Sequence, residues 1–148
     1  MKILLTSLLI LSFNFFSKDV ANCSGLQGYS YYMDYGIVPT KESGWSKDGI
    51  EDFKVKVIKD ESGNFDILYS DLLGYTSSTE DGAIIIPVIE TNDSLSLISS
   101  YPSKNTEIYS FWRNKSGEFK YSLAQIKNGS VSIRKNTLFV GNCSFINF

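Results

Sequence analysis

The sequence predicts an all-β protein, an antiparallel meander of about eight or nine strands forming a small sandwich or barrel behind an N-terminal signal peptide. Three observations carry this prediction. Apolar and polar residues alternate through most of the chain, turn residues separate the runs at short spacing, and no segment beyond the N-terminus repeats with a helical period.

The first strand expected covers residues 26–33 (LQGYSYYM) and is rich in tyrosine. Its period of two places Tyr29 and Tyr31 on one face and Tyr32 on the other. Next, Phe53, Val55 and Val57 alternate with Lys54 and Lys56, the pattern of a strand with one buried face. Residues 60–64 (DESGN) form a turn, after which Phe65, Ile67 and Tyr69 resume the alternation.

Ile84, Ile85, Ile86, Val88 and Ile89 make a continuous apolar run, as in a strand covered on both faces. Pro87 inside that run points instead to an edge or a bulge, so two expectations compete there. Leu95, Leu97, Ser99 and Tyr101 alternate up to Pro102. Thr106, Ile108, Ser110 and Trp112 then share one face, with Glu107, Tyr109, Phe111 and Arg113 on the other.

Residues 114–117 (NKSG) are a hairpin connection into Phe119, Tyr121, Leu123 and Gln125. Asn128-Gly129 predicts a type I′ turn with Val131 and Ile133 pairing back, because both turn residues tolerate positive φ. Lys135-Asn136 predicts one more turn, leading to Leu138, Val140 and a last strand. The lysines at 54 and 56, Pro87 and barrel closure would each guard against edge pairing.

The N-terminus reads as a secretory signal over residues 1–21, with Lys2 as the positive region and residues 3–16 as the apolar one. That run is shorter than the roughly 20 residues a membrane-spanning helix needs, and Ser17, Lys18 and Asp19 end it. Small residues at −3 and −1 place cleavage anywhere from 21 to 23; a lipidated Cys23 is the alternative. Residues 22–148 remain as a single all-β domain, secreted or periplasmic, with no transmembrane segment expected in it. In an exporting compartment the two cysteines, Cys23 and Cys143, are expected to form a disulfide.

Composition removes several functions. With 14 Lys+Arg against 16 Asp+Glu and no basic block, a nucleic-acid footprint is missing. The absence of histidine removes Ser-His-Asp and Cys-His catalysis and histidine metal sites. No glycine-rich phosphate loop is present, and neither metal nor cofactor is expected. A pair of carboxylates acting as a glycoside hydrolase needs none of these, and Asp34, Glu51, Asp52, Glu80, Asp81 and Glu90 are its candidates. Their positions at turns and strand ends fit a solvated surface better, so the protein is expected not to be an enzyme.

Two stretches suit a binding surface. Residues 75–82 (YTSSTEDG) form a polar loop in which Tyr75, Ser77, Ser78, Glu80 and Asp81 could meet a partner. Tyr29, Tyr31, Tyr32, Tyr35 and Trp45 are an aromatic concentration of the kind that anchors protein or sugar partners. The layout is similar to that of periplasmic inhibitor and immunity proteins, a likeness of architecture only. The expected function is non-enzymatic recognition of a protein partner through loops. A carbohydrate- or small-ligand-binding module is the alternative.

Overall fold

The computed structural model describes residues 17–71 and 74–148; the apolar run 3–16 of the expected signal segment lies outside them. The described chain is all β apart from a short 3-10 turn at Thr40–Glu42. Nine antiparallel strands follow one another: β1 (Lys18–Tyr32), β2 (Gly44–Lys59), β3 (Phe65–Asp71), β4 (Gly74–Ser77), β5 (Ile84–Glu90), β6 (Ser94–Tyr101), β7 (Asn105–Arg113), β8 (Phe119–Lys127) and β9 (Lys135–Ile146). They form one sheet in the order β4-β3-β2-β1-β9-β8-β7-β6-β5.

Every strand except β4 and β5 lies between two neighbours, and β9 returns to β1, so the connectivity is up-and-down. The outermost strands β4 and β5 are joined by residues 78–83 alone. That link reaches at most roughly 25 Å, whereas nine flat strands would span about 38 Å. The sheet therefore has to curl, and it forms a half-barrel in which β4 and β5 do not pair. The linking segment fills part of the gap: the Ser78 N–H donates to the Ile67 carbonyl at 2.8 Å, and the Ala83 N–H to the Ser78 carbonyl at 2.8 Å.

The concave side is the core. Leu26, Val55, Val57, Ile67, Leu97 and Phe111 are buried there. The rings of Tyr109, Phe111 and Tyr121 are stacked in series, with centroids 6.4 and 6.0 Å apart. Cys23 and Cys143 are directly opposed on β1 and β9 and form the disulfide.

Several elements differ from the sequence expectation. β1 begins at Lys18, well before residue 26, so Val20 and Ala21 are buried strand residues. The lysines at 54 and 56 lie on β2, between β1 and β3, and guard no edge. β5 is an edge strand with Ile84, Ile86, Val88 and Ile89 exposed, which decides the conflict over that run in favour of the Pro87 signal.

The type I′ hairpin at Asn128-Gly129 is absent. Residues 128–134 form an irregular connection, and Lys135-Asn136 is already strand, paired with Lys127 and Ile126. Close approach, not positive φ, accounts for Gly129: a Cβ there would lie 2.0 Å from the Ser103 carbonyl oxygen. The segment docks on the β6–β7 turn through Gly129 N–H to Lys104 O at 3.0 Å and Ser130 N–H to Ser103 O at 2.7 Å.

Candidate functional site at the polar end of the half-barrel

One end of the concave side is polar. It is built from strand ends that pair in sequence: Tyr32 with Lys135, Lys135 with Lys127, Lys127 with Asn105, and Asn105 with Tyr101. The inward alternation that supplies apolar side chains lower down supplies polar ones here, and a cavity of about 320 Å³ opens among them. Three side-chain networks organise it.

On β7 and β8, Glu107 is held by three neutral donors. Asn105 Nδ2 and Gln125 Nε2 donate to its Oε1 at 3.0 and 2.7 Å, and the Tyr109 hydroxyl donates to its Oε2 at 2.9 Å. Burial pushes this carboxyl above the ordinary glutamate range, although those donors and the Lys127 charge oppose the shift.

Across the gap, the Tyr69 hydroxyl donates to Asp81 Oδ2 at 3.1 Å and interacts with Tyr101. The Ser78 and Ser99 side chains are fully buried, and their hydroxyls interact with the Tyr101 hydroxyl. Burial raises the Tyr69, Tyr101 and Tyr109 hydroxyls, so all three remain protonated donors at neutral pH.

The third network ties β1, β2 and β9. Ser30 and Tyr32 each donate to Asp48 Oδ2 at 2.8 Å, Lys135 Nζ reaches the same oxygen at 2.9 Å, and Ser30 shares a 2.8 Å hydrogen bond with Thr137. Burial alone would raise the Asp48 carboxyl, but the bonds from Lys135, Tyr32, Ser30 and the Gly49 N–H outweigh it and hold the group well below the usual carboxylate range. A folded-state pKa below the unfolded one contributes stability above about pH 4, lost as pH falls towards the folded value. Asp48→Asn is thus expected to flatten the acid limb of the stability–pH curve. Urea denaturation at a series of pH values from roughly 3 to 7 measures this, and an unchanged acid slope would show that Asp48 does not contribute.

The residues expected from sequence are dispersed. The stretch 75–82 is not all loop, because Tyr75 and Ser77 belong to β4 and pair with β3; of its candidate residues, Asp81 lines the cavity. Ser78 is turned inward, Ser77 donates to Asp66 Oδ2 at 2.6 Å, Tyr75 lies under the Lys56 ammonium at 5.2 Å, and Glu80 is exposed. Among the candidate acids, Asp34 accepts from Thr40, Glu90 pairs with Lys59 at the opposite end of the strands, and Glu51 and Asp52 are exposed on β2.

Tyr29, Tyr31 and Trp45 lie on the convex face. Tyr31 and Trp45 are cross-strand partners in edge-to-face contact at 5.5 Å, and Trp45 is 72% exposed. Tyr32, as its alternation requires, turns inward to Asp48. Tyr35 carries the Arg134 guanidinium over its ring at 3.5 Å.

Glu107, Gln125, Tyr101 and Asp48 are site residues that sequence reasoning missed. The available signal was Glu107 sharing a face with Tyr109 and Phe111: a carboxylate on an aromatic, inward-facing side. Among the described residues no group of three or more acidic or cysteine side chains could hold a metal ion, and no helix is long and apolar enough to cross a membrane. No family model, curated protein or solved structure matches this chain.

Proposed function

We propose that this chain is a non-enzymatic binding protein that takes a small polar ligand into the open end of its half-barrel. The observation that carries the proposal is the 320 Å³ cavity itself, a volume in the range of small-ligand sites, with hydroxyls, amides and charges converging on it from β3, β6, β7, β8 and β9. A core that needed only packing would fill that end with apolar side chains, because each buried polar group costs energy unless it is satisfied. Both Glu107 oxygens are already engaged by neutral donors, which suits an anchoring group better than a proton donor.

Chemical-shift screening of the oxidised protein against neutral sugars, sugar acids, amines and short fatty acids tests this. Binders should perturb the Gln125 side chain, Tyr101 and the backbone of residues 104–107. Tyr101→Phe keeps the ring and removes the hydroxyl beside Ser78 and Ser99, so it should weaken those binders several-fold.

A second reading, recognition of a protein partner, is favoured by the exposed Tyr31–Trp45 pair. Trp45 also borders a shallow hollow of about 620 Å³ lined by Ile37, Val38 and Pro39. Perturbations confined to that face on titration with a protein would favour it over the cavity.

Export is part of the proposal, supported by the disulfide and the apolar leader. Because Val20 and Ala21 are buried in β1 and Cys23 is bonded, cleavage upstream of Lys18 preserves the whole strand.

A further inference from the structure

We propose that the ligand of this cavity is an acidic saccharide, a sugar ring bearing a carboxylate; the inference rests on the ligand-binding reading above. The unmet bonding capacity of the lining carries it. Of three ammonium groups on the cavity, Lys135 is paired with Asp48, while among the described residues Lys104 and Lys127 form no salt bridge, Lys127 acting on Glu107 only through its charge. Two cations on one small cavity, neither held in a salt bridge among the described residues, are suited to a carboxylate.

The acceptors are unequally engaged. Glu107 accepts from three donors, whereas among the described side chains Asp81 accepts from the Tyr69 hydroxyl alone. A carboxylate has about four acceptor positions, so Asp81 can take ligand hydroxyls as well.

Between these polar groups the wall is apolar, with Phe53, Leu123 and Phe139. A fatty acid would use the lysines and the wall but leave Asp81 unmet. A bare inorganic anion would leave the wall and Asp81 unused. A sugar acid engages all of them: its carboxylate meets Lys104 and Lys127, its hydroxyls meet Asp81 and Tyr101, and its C–H face meets the apolar wall. The volume, near the lower end of the roughly 300–1,000 Å³ typical of ligand sites, suits one or two rings.

Titration of the oxidised protein with D-glucuronate, D-galacturonate, D-glucose and acetate, followed by calorimetry and amide shifts, tests the inference. A uronate should bind at least about tenfold tighter than glucose or acetate, and Lys104→Met with Lys127→Met should abolish that margin while the far-ultraviolet spectrum is unchanged. Glucose binding as tightly as the uronates, or a margin surviving the double substitution, would overturn it. If uronates fail while other screened compounds shift the cavity resonances, the saccharide inference falls and the ligand-binding reading stands. If nothing shifts them, both fall.

Discussion

Replacing Cys23 and Cys143 together by alanine is expected to lower the stability of the oxidised protein by about 4–5 kcal/mol. The bond joins residues 120 apart in sequence. Cross-linking so distant a pair removes much of the loop-closure entropy of the unfolded chain, and the saving grows with loop length. The position adds a second reason. β1 and β9 are the first and last strands, and their pairing is the seam that makes the meander continuous. Urea denaturation of the double variant against the oxidised parent measures the loss, and a loss below about 1 kcal/mol would contradict the entropic account. Intact mass of the exported protein, taken with and without thiol alkylation, checks the companion proposal on export. Both thiols should resist labelling, and the N-terminus should lie at or upstream of Lys18; a chain beginning after Cys23 would refute both.

Much of the fold was legible because side-chain period and turn chemistry are local. Phe65, Ile67 and Tyr69 alternate as expected, and the turn before them is closed by Asp60 accepting from the Asn64 N–H at 2.8 Å. What failed was non-local. Asn128-Gly129 has the composition of a tight hairpin, but its glycine serves an approach to Ser103 from the neighbouring turn, a demand that no local pattern contains. The length of β1 was hidden for a related reason. Residues 18–25 follow an apolar run in the sequence and include Gly25 at a bulge, so their alternation is interrupted although their pairing with β2 and β9 is extensive.

The site was less legible than the fold. Its groups come from strands far apart in sequence, and each looks ordinary alone: one glutamate on β7, one glutamine on β8, one aspartate before β5. Face assignment placed Glu107 with Tyr109 and Phe111, but which face points inward is settled only when the sheet curls. The aromatic cluster shows the opposite case. Alternation separated Tyr29 and Tyr31 from Tyr32, and the structure leaves the first two exposed and turns the third towards Asp48.

Gly141→Ala is expected to cost about 3 kcal/mol or more, a large effect for the addition of one methyl group. Gly141 lies opposite Tyr121 on β8, and β1 bulges towards it at Gly25. A Cβ at 141 would stand 1.9 Å from the Gly25 carbonyl oxygen and 2.3 Å from Tyr121 Cε1. Neither neighbour can easily give way. The carbonyl belongs to a bulge whose glycine has φ of 65°, and Tyr121 is fully buried at the end of the stacked row of rings. The glycine thus lets a large ring pack down onto the sheet, an exchange of side-chain volume between neighbouring strands. Tyr121→Phe separates this packing from the hydroxyl. It removes only the 3.2 Å hydrogen bond to the Gly25 carbonyl and should cost about 1 kcal/mol. Denaturation midpoints of the two variants decide the matter. A Gly141→Ala protein as stable as the parent would mean that the bulge yields freely, and the close packing of Tyr121 against β9 would have to be abandoned.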